Sequence, residues 1–173
     1  LTDPVTRARV GPLRRVEPVP ARRHLAGADA VLISHLHWDH LDVPSLRDLG
    51  SRVPIVVPNG SGAWMRSVGF RHVEELAAGE TMEIGGVQVE AVAALHAGFR
   101  PPLGPTAPAI GFVIRGTRSV YFAGDTDMFP GMADLGPIDL ALIPVWGWGP
   151  TLGRGLHLDP LRAAEALRLI RPR

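Results

Sequence analysis

Ser34-His35-Leu36-His37-Trp38-Asp39-His40 places three histidines and an aspartate within six consecutive positions, directly after the apolar run Ala30-Val31-Leu32-Ile33. Imidazole and carboxylate are the ligands that borderline metals such as zinc prefer. Side chains alternate between faces along extended backbone, so His35, His37 and Asp39 can converge on one side, with His40 following the turn. Buried together without a cation, these groups would leave charge and polar nitrogens uncompensated. The spacing predicts a metal site at a strand end. The simpler alternative is a solvated loop that happens to be histidine-rich.

The rest of the chain supplies a complement. His96 closes the strand-like stretch Val87 to Leu95, and Asp125 follows another, Ser119 to Gly124. Both fall where a strand meets a loop, the usual place for a functional side chain. Alone, His96 reads as a satisfied strand-end histidine and Asp125 as a turn former. Together with H-x-H-x-D-H upstream, they read as further ligands.

The order H-L-H-W-D-H, a lone strand-end His96, then G-D-T at Gly124 to Thr126 resembles the metallo-β-lactamase-fold hydrolases. Pro144-Val145-Trp146-Gly147-Trp148-Gly149-Pro150, followed by His157-Leu158-Asp159-Pro160 at a helix start, narrows the match. It is similar to the branch holding N-acyl-phosphatidylethanolamine-hydrolysing phospholipase D and the ascorbate-6-phosphate lactonases. The resemblance runs over nearly the whole chain and implies an αββα sandwich, an α/β (α+β) fold, as one domain over residues 1–173. Members of this branch begin with strands ahead of the point where Leu1-Thr2-Asp3-Pro4 reads as a strand exit. They end with a strand carrying one more histidine. The sequence is therefore expected to be an internal fragment, truncated at both ends of the domain.

The resemblance assigns His35, His37 and His96 to one metal, Asp39 and His40 to a second, and Asp125 as the bridge. It implies two zinc ions per complete domain; manganese or iron also suits these ligands. Two such metals about 3.5–4 Å apart can share a water and bring its pKa towards ~7. The implied reaction is hydrolysis by that hydroxide of a phosphodiester or lactone-type ester, on a small-molecule or lipid-like substrate. A β-lactam is the poorer match. Asp39 or His157 could move the proton. His157 by position is a helix-start residue, a substrate contact or a ligand of the second metal, and the resemblance favours a substrate-side or proton-transfer role. The rival class is a truncated metal-binding domain without turnover.

Composition sets the bounds. The chain has 173 residues, enough for a single core. The formal net charge is +1, so no nucleic-acid partner is demanded. Its basic residues are all arginine. Arg14, Arg15, Arg22 and Arg23 form a basic stretch that reads as a solvated face, with a phosphate-binding patch as the alternative. Cysteine is absent, which excludes disulfides and thiolate ligands and fits a reducing, cytoplasmic setting. No apolar run approaches the ~20 residues of a membrane span.

Local patterns predict buried strands over Ala28 to Ile33 and Pro54 to Val57. Between them, Asp42, Pro44 and Gly50 bound a helix from Val43 to Leu49. A second helix is expected over Gly62 to Val68. Glu80 to Ile84 and Val87 to Leu95 form a hairpin about Gly85-Gly86, and Ala109 to Arg115 with Ser119 to Ala123 another about Gly116-Thr117. Ile138 to Val145 is an apolar strand. Asp159 and Pro160 open a helix to Ile170, with Leu161, Ala164, Leu167 and Ile170 as its apolar stripe. His24 and His72 read as surface residues. Trp146 and Trp148 either pack on the sheet or line a pocket. The proline-rich stretch Arg100 to Pro108 is either a lid or a rigid connector.

Overall fold

The apolar run ahead of the histidines forms a short strand, Val31–Leu32, whose backbone bonds neighbours on both sides. A computed structural model describes residues 1–21, 23, 25–50, 52–146 and 155–173. Within them the chain divides into two compact units, residues 1–75 with 98–107, and residues 76–97 with 108–173. The sequence reading of Arg22, His24 and Gly147 to Pro150, Trp148 included, lies outside the described residues.

In the first unit, β1 (Arg9–Val10) and β2 (Leu13–Arg14) make a small hairpin, an element absent from the sequence expectations. Strand β3 (Val31–Leu32) runs parallel to β4 (Ile55–Pro58), which β5 (Val73–Leu76) flanks on its other side. Leu32 also bonds the chain start: its N–H donates to Leu1 O, and its carbonyl accepts from Asp3 N. Helix α1 (Val43–Leu49) matches its expected bounds. Asp42 caps it by accepting from Ser45 N, a cap worth about 1 kcal/mol. Helix α2 spans Gly62–Ser67. Ile33, Leu36, Leu41, Val57 and Met65 fill the core of this unit.

The second unit holds a five-stranded sheet. Strands β6 (Thr81–Ile84), β7 (Val87–Ala93), β8 (Ile110–Arg115) and β9 (Ser119–Phe122) run antiparallel in sequence, and β10 (Leu140–Leu142) adds in parallel beside β9. Gly85 and Gly86 sit at φ +55° and +78°, the turn geometry that lets Ile84 face Val87. Helix α3 (Pro160–Ile170) starts at Asp159, which accepts from Arg162 N. Its buried face differs from the expected stripe: Ala163, Ala166 and Ile170 face the core, while Leu161 and Leu167 are exposed. The small alanines allow a close approach to the sheet, and Arg162 is drawn to the buried Asp127 at 2.9 Å. Phe112, Tyr121, Met132 and Leu158 are fully buried in this unit.

Candidate metal centre

Extended backbone ends at His35, and the chain then turns. His37 O accepts from His40 N at 3.2 Å and Leu41 N at 2.8 Å, so His37 to Leu41 forms a closed turn rather than a continued strand. Strand alternation therefore does not bring Asp39 to the cluster, as the sequence suggested. Leu36 and Leu41, both fully buried, pin the two ends of the turn and leave the polar side chains between them.

Arg100 closes that turn from outside. Its Nη1 donates to Leu36 O at 2.6 Å and to Leu41 O at 3.0 Å, while its guanidinium lies over the Trp64 ring, 4.9 Å from the centroid. The segment around it is tied across its own base: Arg100 N donates to Pro105 O, and Ala107 N to Gly98 O. A side chain at Gly104 would meet Arg100 Cβ at 2.7 Å. The proline-rich stretch thus behaves as a braced connector.

The first unit gathers His35, His37 and His40 and adds Asp3, while Asp39 approaches only from the rim beside His40. Asp3 accepts from Ser34 N at 2.8 Å through Oδ1, and through Oδ2 from the Ser34 hydroxyl at 2.6 Å. That uses the only hydroxyl hydrogen, so the 3.0 Å contact between Ser34 Oγ and His35 Nδ1 requires the imidazole to donate. His35 Nε2 then carries the lone pair, and it faces His37 Nδ1 at 3.0 Å. His40 Nδ1 lies 2.7 Å from Asp3 Oδ2, which likewise leaves the lone pair on His40 Nε2, 3.9 Å from Asp39 Oδ2. Donor atoms of Asp3, His35 and His40 fall within 4.8 Å of one another.

The second unit gathers His96, Asp125 and His157. Thr126, fully buried, fixes the geometry: its hydroxyl accepts from Leu95 N at 2.9 Å, and its carbonyl accepts from Leu158 N at 3.0 Å. His96 and Asp125 are thereby held beside His157. His96 Nδ1 donates to Leu156 O at 2.9 Å, so its Nε2 carries the lone pair, 3.9 Å from Asp125 Oδ2. His157 Nε2 lies 3.3 Å from the same oxygen, and the two imidazoles meet edge to face with centroids 4.6 Å apart. His157 Nδ1 is buried with no hydrogen-bond partner among the described residues. Trp146, half-exposed, has its ring centroid 6.3 Å from that of His157.

At His35, His40 and His96 an oxygen holds the far imidazole nitrogen, the arrangement usual for metal-ligating histidines. The donor sets are all nitrogen and carboxylate, and they fit a borderline divalent metal. Asp3, Ser34 and Arg100 escaped the sequence reading. A signal for Asp3 existed: Leu1-Thr2-Asp3-Pro4 reads as a strand exit, and Thr2 bridges Leu32 of the strand that leads to the histidines.

The chain matches, over residues 1–173, the family model described as a beta-lactamase superfamily domain. It belongs to that family. An uncharacterized protein of Mycobacterium tuberculosis is 34% identical to it over 181 residues, covering 96% of this chain and 48% of that protein. The N-acyl-phosphatidylethanolamine-hydrolyzing phospholipase D 1 of Caenorhabditis elegans is 30% identical over 200 residues, covering 100% of this chain and 56% of its own length. Among solved structures, Igni18, a metallo hydrolase from the archaeon Ignicoccus hospitalis, superposes with a TM-score of 0.68 at 22% identity, covering 84% of this chain and 60% of that one. That likeness is one of fold, and it is the fold the histidine motif implied. The chain spans about half the length of the curated relatives it matches. Among the described residues, no helix is long and apolar enough to cross a membrane.

Proposed function

We propose that this chain is a metal-dependent hydrolase in which His35, His37 and His96 would hold one metal, Asp39 and His40 a second, and Asp125 would bridge. The observation that carries this reading is the oxygen found on the far side of the ring in three of the four histidines: Ser34 on His35, Asp3 on His40 and Leu156 O on His96. Metals held there would activate water and stabilise negative charge developing on the substrate. Zinc is the metal proposed, with manganese or iron compatible with the same donors. Asp39, about half-exposed, takes the proton from the attacking water. His157 Nε2 delivers a proton to the leaving oxygen, and Asp125 keeps that nitrogen oriented from 3.3 Å.

The substrate is a phosphodiester or lactone-type ester, on a small or lipid-like molecule. The phospholipase relative supports the phosphodiester. The absence of cysteine supports a reducing, cytoplasmic setting. The deciding experiment assays phosphodiester, lactone and thioester panels with added zinc, manganese or iron, next to the metal content of His37→Ala. Loss of metal and turnover together in His37→Ala is the expected result. Unchanged metal content would sink the ligand assignment, whereas bound metal without turnover on any panel would favour a metal-binding domain.

A further inference from the structure

The stretch from Pro4 to Val16 contains no acidic residue but four arginines, Arg7, Arg9, Arg14 and Arg15. Two have internal work. Arg7 grips Asp42 with two bonds of 2.8 and 2.6 Å, and Arg15 Nη2 donates to Val5 O at 2.7 Å. Arg15 Nε, however, is buried with no hydrogen-bond partner among the described residues. Arg9 and Arg14 face each other as register partners across the hairpin, and both are exposed. Among the described residues no carboxylate pairs with either. Like charges directly opposite weaken a strand pair, and this one is too short to offset the repulsion with many other contacts.

The hairpin is also fixed in place. Gly11, at φ +53°, turns it against the Trp38 indole: a Cβ there would stand 3.5 Å from Trp38 Cε3. Trp38 belongs to the histidine turn. Arg7, Arg9, Arg14 and Arg15 consequently share with Asp39 the wall of a surface hollow of about 240 Å³. The repulsion stored in the ribbon is relieved by an anion that bridges guanidinium forks, and phosphate oxygens match that planar geometry best.

We propose that this arginine hairpin is a phosphate subsite, which holds a phosphate group carried by the substrate and sets the adjoining ester beside Asp39. The substrate half of the proposal rests on the hydrolase reading above; the subsite itself does not. The phosphate-binding alternative for Arg14 and Arg15 is thereby preferred over a merely solvated face.

The test has two arms. In the first, inorganic phosphate is titrated into the zinc-loaded protein at low salt, and the arginine Nε–Hε resonances are followed by NMR. Saturable shifts at Arg9, Arg14 and Arg15 are expected, with affinity lower by about tenfold or more in Arg9→Gln/Arg14→Gln. Both side chains are exposed, so folding should survive, and a melting temperature that is unchanged or raised by the lost repulsion confirms it. Arginine resonances that do not move, or equal affinity in the variant, overturn the subsite. In the second, KM is compared for matched esters with and without a phosphate group. The double variant should raise KM about tenfold for the phosphorylated ester alone. If the variant loses phosphate affinity in the titration yet leaves that KM unchanged, the site takes free phosphate and the substrate role is overturned. If neither ester turns over, the hydrolase reading fails while the titration still decides the subsite.

Discussion

Asp3 Oδ2 lies 2.7 Å from His40 Nδ1, and the same oxygen accepts the Ser34 hydroxyl that holds His35. One carboxylate, placed next to the bridge between Thr2 and Leu32, thus orients two of the proposed ligands. Outer partners of this kind typically change metal affinity by about 10–100-fold when removed. Asp3→Ala should weaken metal binding within that range under chelator competition while the far-UV spectrum stays unchanged. Full metal affinity in a folded Asp3→Ala protein would show that the histidines hold their tautomers without it.

Arg100 should matter for the shape of the same turn. Arg100 holds both carbonyls through Nη1 alone; a lysine ammonium keeps donors for them but loses the flat guanidinium contact with Trp64. Arg100→Lys is expected to retain the fold, to speed amide exchange over residues 37–41, and to lower metal affinity severalfold. Exchange at those amides indistinguishable from the parent would assign Arg100 to packing alone.

Much of this was legible in the sequence because the signals were local. Asp42, Pro44 and Gly50 bound α1 by capping and turn chemistry, and Gly85-Gly86 set a hairpin register, both read within a few residues. H-x-H-x-D-H pointed to its candidate donors by side-chain chemistry, although the backbone turns at His37 instead of extending. What stayed hidden depends on tertiary contact. Asp3 is 31 residues from Ser34, and Arg100 is 64 from Leu36. The stripe of α3 was misplaced because leucine outweighs alanine in any hydrophobicity count, whereas packing against a sheet favours the smaller residue.

Asp42 sets an acid limit on the first unit. Burial pushes its carboxyl up, but the Arg7 guanidinium together with the Ser45 hydroxyl and N–H outweighs burial and holds it below the usual aspartate range. A lowered folded value means the stabilisation is present above the unfolded aspartate pKa of about 3.9 and is lost as pH falls through the lower folded one. Asp42→Asn keeps a competent helix cap but not the charge. It should cost about 1–2 kcal/mol at pH 7, allowing for the partly exposed Arg7, and the difference from the parent should shrink below about pH 4. Melting curves from pH 3 to 7 check this; a gap that stays constant would remove the ion pair from the account.

Tyr121 offers a prediction of opposite sign. It lies at the centre of β9, fully buried, opposite Val113 on one side and Ala141 on the other. Its hydroxyl has no hydrogen-bond partner among the described residues, and burial pushes the phenol up, so the group stays neutral at any ordinary pH. A buried hydroxyl left unsatisfied costs about 1–3 kcal/mol, whereas the ring around it contributes as any core aromatic does. Tyr121→Phe removes the first and keeps the second. It should therefore leave the melting temperature unchanged or raise it, while Tyr121→Ala should lose about 3–5 kcal/mol to the cavity. A Tyr121→Phe protein destabilised by more than about 1 kcal/mol would mean that the hydroxyl is satisfied by an ordered internal water.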